Sequence, residues 1–358
     1  MNGHGNIFMR KAAAMAAAVV IALSLTGCDD LIYDGEGDCN TSYTVTFTYT
    51  MNMEYADAFS HYVQSVTLCA FDTLSGTLVY KQTAGVEALG DDGKTMSVDD
   101  ITPGTYTLVA WAEGEPAVDD CYEYADLTVG TTTLDDVTCR IARGTRADSD
   151  DDIIDHDLTN LFHAITYNAD LTDVGYDGER NVDMDLTKNT NSVRIVLQHL
   201  SGSDIDVDDF SFEVTSDNGM YAYDNSLISD GTITYTPWST SSGTAALYDD
   251  DSDDDDSDDE TLTSVSAAVA EMTIGRLVYG NTTRLTVYNS DGDKVLSIPV
   301  IDYALLIKGN YSSSLTNQEY LDRQDEYSMT FFLDENDNWI SSTIIINSWR
   351  LVFNDVEL

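Results

Sequence analysis

Basic residues are scarce in this chain. Sixteen Lys and Arg stand against 64 Asp and Glu in 358 residues, a formal net charge of −48. Nucleic-acid binding needs positive charge facing phosphate, and this balance excludes it. It also excludes a polybasic grip on anionic lipid headgroups. Acidity of this kind serves first of all solubility in a crowded or salty exterior. Histidine is rarer still. Beyond residue 28 there are only His61, His156, His163 and His199. None has a spacing used for zinc or for a nucleophile's base. Gly-x-Ser-x-Gly, a glycine-rich phosphate loop and a dinucleotide fingerprint are all missing. Carboxylates are so abundant that nominating an acid–base pair carries no information. The chain therefore reads as a non-enzyme without a cofactor or a metal. Long apolar runs are missing too: past Cys28 nothing approaches the ~20 residues a membrane helix needs.

What is present begins at the amino end. Arg10 and Lys11 precede a mainly apolar stretch from Ala12 to Leu25, which closes on Leu25-Thr26-Gly27-Cys28. The stretch is short for a bilayer span and fits the core of a signal peptide. Small residues before the cleavage point suit a narrow peptidase site. The Cys28 thiol is the one group there that can form a stable thioether to a diacylglyceryl unit. Residues 1–27 thus read as a lipoprotein signal peptide, with Cys28 the lipidated residue and residues 28–42 a tether. Each buried methylene contributes about 0.8 kcal/mol, so two or more acyl chains hold a protein stably.

Four further cysteines remain: Cys39, Cys69, Cys121 and Cys139. Export permits disulfides, and four cysteines allow three connectivities among which sequence cannot choose. Cys69 lies in a strand-like run and reads equally well as a small buried hydrophobe. No Cys-x-x-Cys pair suggests zinc or redox chemistry.

The body reads as two β-rich halves, 43–146 and 153–358. In the first, Tyr43 to Tyr49 alternates Thr with apolar residues, as a half-buried strand does. Gln64 to Phe71 and Thr77 to Tyr80 flank a turn at Asp72 to Gly76. Thr95 to Val98, Thr105 to Trp111, Leu127 to Val129 and Val137 to Ile141 complete about seven short strands, the pattern of a sandwich. Gly144 to Asp152 is polar and reads as a linker. In the second half, strands are expected at Val182 to Leu186, Val193 to Leu200, Phe210 to Val214, Thr232 to Tyr235, Leu285 to Tyr288 and Val295 to Ile301. Tyr327 to Leu333, Thr343 to Ile346 and Trp349 to Phe353 follow, with one helix over Tyr303 to Arg323. Residues 249–260 are nearly all Asp. Like charges repel, so they read as a disordered loop. Carboxylates are calcium's preferred ligands, but the run lacks the interleaved glycine and spaced ligands of a calcium loop. Asn289 to Asp293 is fully explained as a hairpin turn.

Several segments, taken in order, resemble one family. They are Asp29 to Cys39, Asn52 to Phe59, Val66 to Asp72, Pro103 to Trp111, Leu186 to Asn191, Tyr320 to Gln324, Phe331 to Asp334 and Ile345 to Trp349. Together they are similar to the FimB-like fimbrillin anchor lipoproteins at the base of Bacteroidales-type (type V) fimbriae. Cys69 stands where that pattern has a large aromatic, and Ser348 where it has glycine. The acidic insert is private to this sequence. The resemblance implies two tandem transthyretin-like β-sandwich domains, all-β, held by lipid at the outer membrane, surface-exposed and joined to fimbrial shaft subunits. It carries over no active-site residue. It implies Cys28 as the anchor and Cys39 as a candidate disulfide partner, with Cys121 and Cys139 the other candidates.

Physics independently supports such a role. An open sheet edge presents unpaired N–H and C=O groups that a strand from another chain satisfies. The segment Trp349 to Leu358 is either such a donor or the closing strand of its own sheet. The alternative function is a surface lipoprotein that binds glycan or a host protein through loops, with Trp111 and Trp238 as candidate stacking residues.

Overall fold

A computed structural model describes residues 41–118, 120–147, 151–175, 178–247, 263–311, 314–346 and 349–354. The lipidation residue Cys28, the disulfide candidate Cys39 and the acidic run 249–260 lie outside the described residues.

The fold is all-β, as expected, and among the described residues its strands form five sheets. Sheet I orders β11 (Glu179–Asp185), β1 (Ser42–Thr48) and β4 (Thr95–Ser97). Sheet II runs β12 (Thr187–Lys188), β10 (Leu161–Leu171), β5 (Gly104–Glu113), β2 (Ser65–Asp72) and β3 (Leu78–Gly85). Sheet III runs β17 (Ser239–Leu247), β18 (Thr263–Gly275), β13 (Thr190–His199), β21 (Glu326–Leu333), β22 (Trp339–Ile346) and β23 (Trp349–Asn354). Sheet IV runs β20 (Lys294–Pro299), β19 (Thr283–Asn289), β14 (Phe210–Ser216), β16 (Ile233–Tyr235), β9 (Asp152–Ile154) and β8 (Gly144–Thr145). Sheet V joins β15 (Met220–Ala222), β7 (Thr138–Ile141) and β6 (Tyr122–Tyr124).

Two hydrophobic cores result. In the first, Val45, Phe47, Val182 and Met184 of sheet I pack with Leu68, Leu108, Phe162 and Leu171 of sheet II. The second joins Ile195, Leu197, Met272 and Phe331 of sheet III to Phe212, Val214, Leu285 and Ile298 of sheet IV. Alternation explains β1, whose Tyr43, Val45 and Phe47 are buried while its threonines are not. It does not describe β5, which is buried almost throughout. That strand is central in a sheet covered on both faces: Leu108, Ala110 and Ala112 belong to the first core, Val109 and Trp111 to the second. Sheet II is the wall the two cores share.

The boundary expected between residues 146 and 153 does not divide the sheets. β10 pairs along β5, and β11 pairs in parallel with β1 from Ser42↔Glu179 to Thr48↔Asp185, so residues 161–185 complete the first core. In the other direction, β7 pairs with β15, and β8 pairs with β9 beside β16. At the described ends of the polar stretch, Gly144 and Thr145 pair as β8 with Ile153 and Asp152 of β9. The neighbouring Arg143 has a side chain 2% exposed and donates to Asp152 at 3.0 Å and to Asp230 at 2.5 Å. Asp152, at the end of the stretch, thus pairs with a buried guanidinium.

The helix expected over Tyr303 to Arg323 is two helices, α2 (Val300–Tyr311) and α3 (Asn317–Arg323), after a four-residue α1 (Phe59–Tyr62). Thr316 starts α3 by accepting from the Glu319 N–H at 3.1 Å, which satisfies one of the unpaired amides of a helix start. Among the described residues no helix is long and apolar enough to cross a membrane.

The disulfide expectation for Cys121 and Cys139 is corrected: both are free, buried thiols, as is Cys69. Tyr124 faces Cys139 across the β6–β7 ladder, and the Cys121 carbonyl accepts from Ala142 three residues further along. At ~3.4 Å per residue that offset separates the two cysteines by about 10 Å, beyond the reach of a disulfide. Cys121 instead meets the Thr159 hydroxyl at 3.3 Å.

Candidate functional site at the junction of the two cores

The chain passes from the first core to the second through Leu186 to Asn191, and a polar cluster is built around that crossing. Lys188 leaves β12 with its side chain 9% exposed, pairs with Asp325 at 2.7 Å and lies over the Tyr62 ring at 5.5 Å. Asn189 and Asn225, both buried, exchange amide hydrogen bonds at 2.7 and 3.0 Å. Such reciprocal pairing satisfies donor and acceptor together, which burial demands. Asn191 donates to the Gly275 carbonyl at 3.2 Å. A Cβ at Gly275 would lie 2.8 Å from the Tyr221 hydroxyl and 2.9 Å from the Asn218 carbonyl, so only glycine fits there.

Helix α3 ties the crossing to both cores. Asp322 accepts from Arg276 Nε and Nη2 at 2.8 and 2.9 Å, and Arg276 Nη1 donates to the Asn225 carbonyl at 2.7 Å. One residue on, Arg323 Nη1 donates to the carbonyls of Thr50 and Asn52 at 2.9 and 3.1 Å. Its guanidinium carbon stands 4.3 Å from the centre of the Tyr55 ring. Tyr55 holds φ 54°, unusual for a bulky residue, in a loop fixed by Asn52 and Asp57.

Three of the segments that carry the family resemblance, Asn52 to Phe59, Leu186 to Asn191 and Tyr320 to Gln324, thus converge in space. Their shared task is to knit the cores together. Sequence reading found the segments but not their contact. Arg276 and Asn225, the partners that complete the cluster, lie outside every segment, and no local pattern marks them.

Among the described residues no group of His, Cys, Asp and Glu is placed to hold a metal. His163 is buried beneath Trp111, 4.6 Å between ring centres, and its Nε2 donates to the Tyr223 carbonyl at 2.8 Å. Burial pushes its pKa down to about 4, so the ring is neutral at physiological pH. Because the unfolded chain takes up that proton near pH 6.5, stability is full above pH 6.5 and is lost as pH falls towards 4. The loss should be about 3 kcal/mol. Urea denaturation of wild type and His163→Gln across pH 4 to 7 should show the wild-type free energy falling relative to the variant by that amount. Parallel pH profiles would refute a buried neutral imidazole.

The carboxyl-terminal candidate resolves as a strand of its own sheet: β23 pairs with β22 from Ile346↔Trp349 to Ser341↔Asn354 and forms the edge of sheet III. Of the two stacking candidates, Trp111 is 4% exposed and belongs to the second core, whereas Trp238 is 41% exposed.

Residues 36–355 match the model of the fimbrillin-A associated anchor proteins Mfa1 and Mfa2. The minor fimbrium anchoring subunit Mfa2 of Porphyromonas gingivalis is 23% identical over 233 residues, 63% of this chain and 66% of that relative, so the match spans just under two thirds of its length. The solved structure of that fimbrial anchor protein shares the fold at TM-score 0.58 and 18% identity, over 88% of this chain and 99% of that one. A candidate adhesin from Bacteroides thetaiotaomicron is 30% identical at TM-score 0.71 with the same coverage. A candidate polysaccharide-binding protein from the same species is 28% identical at TM-score 0.68, again over 88% and 99% of the two chains. The chain belongs to the family of fimbrillin-A associated anchor proteins.

Proposed function

We propose that this protein is an outer-membrane lipoprotein, acylated on Cys28, that anchors a fimbria at the cell surface and joins shaft subunits by strand addition. Family membership across residues 36–355 carries this reading. The lipobox Leu25 to Cys28 supplies the membrane end. The edge strands of sheet III, β17 and β23, are backbone rows that each have a partner on one side only within the sheet, the chemistry that strand addition uses. The network among Arg276, Asp322, Arg323 and Lys188 supports it further, since an anchor whose two cores shifted freely would position a shaft poorly.

The test is recovery of tagged protein from its own membranes with identification of what accompanies it, beside Cys28→Ala. Fimbrial subunits should accompany the wild type, and fimbriae should be shed into the medium by the variant. Recovery of a transporter or glycan without any pilus subunit would favour the second reading, a glycan binder. Two observations support that alternative: the likeness to the candidate polysaccharide-binding protein of Bacteroides thetaiotaomicron, and the exposed Trp238 and Tyr55 rings.

A further inference from the structure

The first strand after the amino-terminal segment is held in an unusual way. β1 lies between β4 and β11, and its pairing with β11 is parallel and unbroken from Ser42↔Glu179 to Thr48↔Asp185. Side chains on the solvent face repeat the link. Thr44 and Thr46 hydroxyls both donate to Asn181 Oδ1 at 2.9 Å, and Thr48 donates to Asp185 at 3.1 Å. The Thr50 N–H and hydroxyl reach the same Asp185 at 2.8 and 2.6 Å. At that end the Thr50 carbonyl is gripped by Arg323 from α3. The amino end of β1 and the junction therefore lie at opposite ends of one strand.

Topology then fixes how a pull is borne. A load applied ahead of Ser42 draws β1 towards its amino end. The opposing load leaves β11 at its carboxyl end, Asp185, and runs through Leu186 to Asn191 into β13 of the second core. In a parallel pair these two forces run along the ladder in opposite directions. Every rung then shares the load and all must break together. An antiparallel hairpin pulled from its open end breaks one rung at a time, and β22–β23 is such a hairpin at the carboxyl end.

We propose that the β1–β11 pair is a shear clamp that carries pulling load between the amino end of the chain and the second core. The load it meets in the cell follows from the anchoring role proposed above, whereas the clamp is a property of the isolated chain. Its failure would leave that role untouched, and loss of the role would leave the clamp measurable.

Single-molecule force spectroscopy tests it on the chain from Asp29 onward carrying Cys39→Ser. Asp291→Cys, in the exposed β19–β20 turn, provides one handle, while the buried Cys69, Cys121 and Cys139 stay out of reach of coupling. Pulling between the amino terminus and residue 291 should give a first rupture at several times the force needed between residue 291 and the carboxyl terminus. Equal or lower force through the amino terminus would overturn the clamp. The solvent-face double variant Asn181→Ala/Asp185→Ala should lose part of the amino-terminal rupture force and leave the carboxyl-terminal value unchanged. No loss, or the same loss in both geometries, would also overturn it.

Discussion

A fragment ending at Arg146 is expected to be unfolded. It would hold β1 to β8 but lack β10 and β11, which flank β5 and β1 in the two sheets of the first core, and β12, which pairs with β10. The fragment also loses Phe162, Leu171, Val182, Met184 and Leu186, all buried in that core. At roughly 1.5–3 kcal/mol for each large apolar side chain, the missing burial is on the order of 10 kcal/mol, as much as the whole net stability of a typical domain. Phe162 also meets the Tyr49 ring edge-on, 5.1 Å between centroids, so Tyr49 would lose its wall. The backbone consequence adds to this. β5 would become an open edge along a strand whose residues are almost all apolar, a template for aggregation. Urea titration of fragment 43–146 by circular dichroism should show no cooperative transition. A cooperative one would mean that the first core is complete without residues 161–186.

That fragment is the domain the sequence pattern suggests, and the reason for the misplaced boundary is physical. β10 reads poorly as a strand because His163, Thr166, Tyr167, Asn168 and Asp170 interrupt its apolar residues. Its pairing with β5 shifts register between Thr166 and Ala169, so no single alternation runs its length. β18 was hidden for another reason. It is rich in alanine, a weak strand former, yet Ala267, Ala268 and Ala270 are buried in place. Legible from the start were the strands with Thr-apolar alternation or a clear turn beside them: β1, the β2–β3 hairpin, and β19 with β20 around Asn289 to Asp293. Leu127 to Val129 looked like a strand but lies outside every strand of the fold. The junction cluster was half legible. Its segments stood out in order along the chain, but that Asp322 would find Arg276 and Arg323 would find Thr50 depends on two long-range crossings, which no window of sequence contains.

Asp322→Ala is the point substitution expected to cost most at that junction, about 3–5 kcal/mol. Arg276 and Asp322 have side chains 12% and 13% exposed, so the substitution leaves a nearly buried guanidinium still donating to the Asn225 carbonyl but without its carboxylate. Gln318 also loses the acceptor it meets at 2.8 Å. The size of the effect reflects a stranded charge more than the attraction of the pair. Removing both partners should therefore be far milder than removing one: Arg276→Met with Asp322→Leu replaces the pair by apolar groups of similar volume and should recover most of the loss. A double-mutant cycle by urea denaturation measures this directly. If the double variant were as unstable as Asp322→Ala, the cost would lie in helix α3 itself, not in the buried charge. The adjacent Arg323 distinguishes these cases a second way. Should Asp322 position the helix, its loss loosens the grip on the Thr50 and Asn52 carbonyls in both variants, and amide exchange in residues 50–58 rises in each; should the stranded guanidinium be the cause, exchange rises in Asp322→Ala and remains slow in the apolar double variant.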